Sequence, residues 1–270
     1  MNFTADDFAG VLESLAPSSL ACSWDNVGFQ IGSRKKTVRR VLCALEVTPD
    51  VLKEARDLKV QLLMVHHPLL FRPAASITDD TPVGRLVMEI IRLNLCLVVA
   101  HTNLDKSPHG TNRGLAECLG LCGIEFLEPE TLAVGDTQYG MGCVGQLPRE
   151  MTLGALARLV RRRLDAGGIQ LIGEERKKVR RVAIVTGSGG EALGKKRLNG
   201  ADVLVTGEIN HHAALTALMD RIAVICAGHF DTEMIGMSYF ARVLKNHPGL
   251  KKTGVEILVA KHQSSPYQYY

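Results

Sequence analysis

With 270 residues and 46% hydrophobic side chains, the chain is long enough for one large or two small domains and apolar enough to bury a core, which excludes disorder throughout. Its 32 Lys and Arg against 28 Asp and Glu leave a formal charge of +4, too slight to call for a nucleic-acid partner by itself. Asp6, Asp7 and Glu13 stand where a secretory signal needs a basic start and an unbroken apolar run. The longest apolar runs have strand length, well short of the roughly 18 residues of a membrane span, so no membrane partner and a cytoplasmic location are expected.

In chain order, Thr4-Ala-Asp-Asp7 has the form of a capping box and predicts a helix to about Leu15. Arg39–Val47 predicts a strand, after which Thr48 caps a helix with Pro49 in its first position, ending near Lys59. Val60–Val65 is a short apolar strand running into His66-His67-Pro68. A helix near Val83–Leu93, a strand Leu95–Ala100, the segment His101-Thr-Asn-Leu-Asp105 and a helix Thr111–Leu119 follow. Gly142–Gln146 ends a strand, Leu153–Leu164 is an amphipathic helix, and Val182–Thr186 is a strand leading through a glycine turn to a helix from about Glu191. Strand Val203–Thr206, helix Ala213–Leu218, strand Ala223–Ala227, helix Thr232–Lys245 and strand Val255–Ala260 complete the pattern. Strands alternating with helices predict the α/β class: two α/β lobes with mostly parallel or mixed sheets flanked by helices. The tail Gln263–Tyr270 has no period and is either loose or pinned by a partner subunit.

Seven cysteines, an odd number without a CxxC pair, fit buried free thiols; Cys43, Cys96 and Cys226 lie in apolar strand-like runs. Cys118 and Cys122 fall four apart on a predicted helix, a weak metal pair without a second pair to complete it.

Ligands of open α/β sheets gather at the carboxyl ends of strands. Three predicted strands end in metal-binding residue types: the first delivers His66 and His67, the second His101 and Asp105, the third His229 and Glu233. Adjacent histidines inside a strand point to opposite faces, but at a strand end before Pro68 both can turn into one crevice. His229 and Glu233 are four apart, so one turn can aim both at one point. With a helix opening at Asp231 or Thr232, Glu233 lies in its first turn, where the helix dipole also favours an acid. Imidazoles with carboxylates form a mixed N/O set suited to Zn, Mn, Fe, Co or Ni. A central Asp105 could bridge two metals held about 3.5–4 Å apart.

Other features are less specific. Gly187-Ser-Gly-Gly190 reads as a phosphate cradle or an ordinary tight turn. His211 and His212 open a helix and either face the metal crevice, with Glu208 as an acid/base group beside them, or cap and pack that helix. Trp24-Asp25-Asn26 reads as a structured loop near the site or at an interface. The basic runs Arg161–Arg163 and Arg176–Arg181 read as solvated faces or as an anion-attracting patch for nucleotide or nucleic acid.

Five segments together carry a resemblance: Trp24-Asp-Asn-Val-Gly-Phe-Gln30, Val65-His-His-Pro-Leu-Leu-Phe71, His101-Thr-Asn-Leu-Asp105, Thr206-Gly-Glu-Ile-Asn-His-His212 and Gly228-His-Phe-Asp-Thr-Glu233. In order and spacing the chain resembles the Nif-three-like dinuclear metal-centre family, often labelled GTP cyclohydrolase 1 type 2 homologues. It looks like the short form without an inserted domain. The resemblance implies a single family unit over 1–270, with lobe one about 1–130, lobe two about 131–230, and 231–270 returning to the metal-site lobe. It implies two divalent metal ions held by His66, His67, Asp105, His229 and Glu233, with His101, Glu208 and His212 as neighbours of the ligands. Glu46 stands where the family often has aspartate. A metal-dependent hydrolase acting on a nucleotide or phosphoester, GTP cyclohydrolase-like, is the implied activity; the alternative is a non-catalytic metal-binding regulator or interaction scaffold. Self-association into a ring-shaped homo-oligomer, commonly a hexamer, is also implied.

Overall fold

The structure, a computed structural model, describes residues 2–131, 137–194 and 198–270. The chain divides into two compact units, Met1–Leu104 with Met237–Ser264, and Asp105–Gly236 with Ser265–Tyr270.

The first unit opens with α1 (Ala5–Leu15), β1 (Gly28–Ile31), β2 (Arg40–Ala44), α2 (Pro49–Asp57), β3 (Leu62–Val65), α3 (Pro82–Arg92) and β4 (Cys96–Val99). The short helix α4 (Thr102–Asp105) ends at the boundary. The second unit holds α5 (Thr111–Cys118), β5 (Cys122–Pro129), β6 (Gly140–Thr152), α6 (Leu153–Leu164), β7 (Gln170–Ile172), β8 (Lys178–Ser188), β9 (Val203–Glu208), α7 (His211–Met219) and β10 (Ala223–Cys226). Helix α8 (His229–Asn246) begins there, and its later residues belong to the first unit together with α9 (Pro248–Lys251) and β11 (Glu256–Val259).

Local chemistry explains the helix starts. Thr4 Oγ1 accepts from Asp7 N at 3.2 Å while the Asp7 carboxylate accepts from Thr4 N at 2.8 Å, closing the capping box. Thr48, Thr81 and Thr152 cap α2, α3 and α6 one-sidedly, each accepting a backbone N–H without a returning side chain, and Pro stands in the first turn of α2 and α3.

The sheet of the first unit runs β1-β4-β3-β2-β11, parallel except for β1, which lies antiparallel on β4. All four residues of β3 and of β4 are buried, as continuous apolar strands covered on both faces must be. The sheet of the second unit runs β5-β6-β8-β9-β10-β7, with a parallel centre β8-β9-β10 and antiparallel margins. Alternation divides its core: Val182, Ile184, Val203, Val205 and Ile225 pack on one face, Ala183, Val185, Leu204, Val224 and Cys226 on the other. The α/β class with mixed, helix-flanked sheets is as expected.

Several expectations are corrected. Gly142–Gln146 lies inside a 13-residue strand, β6, whose register shifts between Gln146 and Met151. Strands β1, β5 and β7 were not foreseen: β1 opens on a positive-φ glycine, Gly28, and is followed by another, Gly32, and β7 has three residues. The helix from Glu191 is a 3₁₀ turn at Gly190–Ala192, and the rest of that expectation falls partly on residues outside those described. Cys118 and Cys122 share no helix, since α5 stops at Cys118 and Gly120, at φ +73°, turns the chain into β5. None of the seven cysteines forms a disulfide, and burial pushes Cys43 and Cys143 up to about 12, far from nucleophilic use. Among the described residues no helix is long and apolar enough to cross a membrane.

The start of the C-terminal tail is tied to its own chain. The buried Glu54 carboxylate accepts from Lys261 N and His262 N, each at 2.9 Å, and Gln263 Oε1 accepts from Leu45 N at 3.0 Å.

Candidate metal centre

In the first unit the two histidines after β3 extend its ladder before Pro68 stops it: His66 N donates to Ala44 O at 3.2 Å and His67 N to Leu45 O at 2.9 Å. Their rings nevertheless come together, 5.1 Å apart, and the His101 ring lies 5.1 Å from His66 and 5.4 Å from His67. One ligand atom from each of the three lies within 4.8 Å of the others. The expected turn at the strand end therefore does converge the pair, and His101 joins them.

Each imidazole is fixed through Nδ1. His66 Nδ1 meets Ala100 O at 2.8 Å, His67 Nδ1 meets Glu46 Oε1 at 3.2 Å, and His101 Nδ1 meets Asp25 Oδ1 at 2.9 Å. A carbonyl and two carboxylates only accept, so each Nδ1 carries the proton, and in the neutral ring Nε2 keeps its lone pair. This is how metal-binding histidines are oriented in general, by a second group that fixes tautomer and ring plane. Glu46, one methylene longer than an aspartate, reaches His67 from the loop after β2.

Asp25 was not foreseen in this role. Its side chain is inaccessible to solvent, and it accepts from His101 Nδ1, from Thr102 N at 3.1 Å and from Thr102 Oγ1 at 2.5 Å. Burial by itself would raise its pKa, but these hydrogen bonds, together with the charge His101 carries once protonated in acid, outweigh it and pull the carboxyl from 3.8 to about 2. A depressed folded-state pKa contributes stability above 3.8 that is lost as pH falls toward 2. The shift corresponds to about 2 kcal/mol. Asp25→Asn should therefore unfold at lower urea than the parent at pH 7, with the gap narrowing between pH 4 and pH 2. A gap of constant size across that range would contradict this origin.

In the second unit, α8 opens at His229 rather than at Asp231 or Thr232. Glu233 is thus not a first-turn acid but sits one turn beyond His229 on the same face, Nε2 to Oε1 at 3.2 Å. Gly228, at φ +93°, makes the turn from β10 into this helix. His229 Nδ1 meets Glu208 Oε1, at the end of β9, at 3.2 Å. With Nδ1 donating to Glu208, the Nε2 lone pair faces a carboxylate oxygen, an arrangement that calls for a cation, proton or metal, between them. Glu233 itself is only 4% exposed. Asp105 ends α4 and accepts from Thr111 Oγ1. Thr111 Oγ1 lies 2.9 Å from Thr186 Oγ1, and Asn112 bridges Asp105 O (2.9 Å) and Thr186 N (2.8 Å), so the start of α5 and the end of β8 hold the aspartate.

The structure thus gathers His66, His67 and His101 in one unit and His229, Glu233 and Glu208 in the other, with Asp105 braced in the second by Thr111 and Asn112. His212 is exposed in the first turn of α7, 5.7 Å from the His211 ring, and is not part of the second unit's donor group. The Gly187–Gly190 turn spends part of its backbone donor capacity within the fold. Gly187 N donates to Thr232 Oγ1 at 3.1 Å and Gly189 N to Glu208 O at 3.1 Å, so two of its N–H groups are already used. Sequence reasoning missed Asp25, Thr111 and Asn112. Their one signal was position, a carboxylate in a turn-rich loop and two polar residues opening a helix just after Asp105.

The family model described as Duf34/NIF3 (NGG1p interacting factor 3) matches residues 3–266. A Clostridium acetobutylicum protein named GTP cyclohydrolase 1 type 2 homolog is 33% identical over 271 residues, 100% of each chain. Its namesake in Clostridium perfringens is 31% identical over 264 residues, 98% of each chain. The crystal structure of the Staphylococcus aureus hypothetical protein SA1388 superposes with a TM-score of 0.93 at 28% identity, covering 100% of both chains. Fold, motif order and these matches agree over nearly the whole length: the chain belongs to the Duf34/NIF3 family.

Proposed function

We propose that this chain binds two divalent metal ions and uses them to hydrolyse a nucleotide or phosphoester. The ligands are His66 and His67 in the first unit and Asp105, His229 and Glu233 in the second. One observation supports this reading above the rest: every histidine of the two donor groups is held through Nδ1 by a carbonyl or carboxylate, which presents Nε2 for coordination. Neutral imidazoles with carboxylates suit Zn, Mn, Fe, Co or Ni, and the set contains no thiolate that would favour softer ions. A cation in such a site supplies Lewis acidity toward a carbonyl or phosphoryl oxygen and acidifies water. Around it, the chain's own groups do the orienting: Glu46 and Glu208 fix their histidines, Asp25 fixes His101, and Thr111 fixes Asp105. The relatives' name, GTP cyclohydrolase 1 type 2 homolog, supports a purine nucleotide as one substrate to test.

Elemental analysis of the purified protein, followed by a hydrolysis screen over nucleotides and phosphoesters, tests the proposal. Bound divalent metal is expected, with turnover that chelation removes and added metal restores. Protein that takes up no divalent metal even on incubation would refute the reading outright. Metal without turnover would refute the hydrolase and leave a non-catalytic metal-binding role.

A further inference from the structure

The loop that supplies Asp25 also displays the chain's single tryptophan, and the metal reading makes no use of it. Trp24 is 59% exposed and Phe71 is 41% exposed, although both are large apolar rings. Their centroids lie 5.9 Å apart with planes tilted by 60°, and the Trp24 ring meets His101 edge-on at 6.1 Å.

These rings are exposed but not loosely held. On one side of Trp24, Asp25 is locked to His101 and Thr102, and Asp25 N donates to Cys22 O at 2.9 Å. On the other, Asn26 Nδ2 donates to Leu70 O, the residue before Phe71, and Gln30 bonds both Asn26 O at 2.9 Å and Leu70 N at 3.0 Å. Two loops are thereby tied so that two aromatic faces stand in solvent beside the imidazole group. Aromatic surface left wet on a fixed backbone is a pre-organised contact, since little further ordering is needed when a ligand covers it.

The chemistry of the surroundings selects the occupant. A protein partner of ordinary affinity buries roughly 800 Å² per side, far more than two rings offer. Aromatic faces also attract organic cations, but here they adjoin a group proposed to hold metal cations, which disfavours a second positive charge. A flat heteroaromatic ring carrying an anionic arm satisfies both neighbours, the ring on the aromatic faces and the arm toward the metal. Resting on the metal reading above, we infer that Trp24 and Phe71 form the stacking subsite for such a ring, the base of a mononucleotide, whose polar end reaches the His66–His67–His101 group.

Because Trp24 is the only tryptophan, its emission reports this contact directly. The metal-loaded full chain is titrated with guanosine 5′-monophosphate and, as the ring-free control, ribose 5-phosphate. Saturable quenching by the nucleotide and none by the sugar phosphate is expected. By calorimetry, Trp24→Ala should bind the nucleotide about tenfold or more weakly, as loss of one base–aromatic stack implies, while Trp24→Phe keeps most of the affinity. Both variants should keep the parent's metal content. Equal quenching by both probes, no nucleotide binding by the parent, or full affinity in Trp24→Ala would each overturn the inference. A changed mass in solution for Trp24→Ala with nucleotide affinity intact would also overturn it, making the rings a contact between copies. Metal content is measured separately, so a metal-free protein would refute the metal reading while quenching in that same protein would still support the stacking subsite.

Discussion

Alanine at Gly187 should remove most of the metal affinity of the second unit's donors while lowering stability by only about 1–2 kcal/mol. The stability cost is conformational: Gly187 sits at φ +64°, where a Cβ is disfavoured by about that amount. The loss of affinity comes from where the Cβ would point. It would overlap Glu233 Oε1 and stand 3.1 Å from His229 Nε2, the two atoms proposed to coordinate. Since Oε1 is the far end of a flexible side chain, the cheapest relief is for Glu233 to swing away, which preserves the fold and dismantles the donor pair. Gly120→Ala is the control, because it imposes the same backbone strain at φ +73° with no atom within 4 Å of the new methyl. Urea unfolding and metal titration of the two variants should agree on stability and differ at least tenfold in affinity. Equal metal affinity for both would show that Glu233 does not need its present position, and its place among the ligands would fall.

That prediction draws on a contact invisible in the sequence, and the contrast marks what sequence reading can reach. Helices α2 and α6 were legible almost to the residue because a threonine cap, a proline or an apolar period each act over a few positions. The donor residues were legible because each follows an apolar strand, so their types and places coincide with the ligand-bearing end of a sheet. What escaped depended on long separations. Asp25 is read as functional only once His101, 76 positions away, is known to lean on it. The start of α8 was misplaced because Asp231 and Thr232 resemble a cap, whereas Gly228 turns the chain three residues earlier and puts His229 inside the helix. The glycine turn Gly187–Gly190 resembled a phosphate loop by composition. Its use of N–H groups on Thr232 and Glu208 O is decided by tertiary packing, which composition does not encode.

Removal of a ligand and removal of the group behind it should differ in size, and the difference assigns the roles. Glu233→Ala and His67→Ala each delete a proposed donor, so each should lose more than about 100-fold in affinity for the ion that donor holds. Glu208→Leu and Glu46→Leu leave the imidazoles in place but release Nδ1, and the loss expected from freeing such a support is about 10- to 100-fold. Glu208→Gln and Glu46→Gln should lose less than the leucine variants, because the amide oxygen still accepts from Nδ1 even though the charge is gone. His212→Ala should match the parent, since that ring stands exposed on α7 and is not part of the second unit's donor group. Competition with a chromophoric chelator measures all of these on one scale. Thermal unfolding with and without metal gives an independent check, because a ligand at about 1,000 times its dissociation constant stabilises by about 4 kcal/mol and one that no longer binds contributes no shift. If the leucine variants at Glu208 and Glu46 retained full affinity while His212→Ala lost it, the Nδ1 tethers would be incidental and the donors would have to be sought on α7.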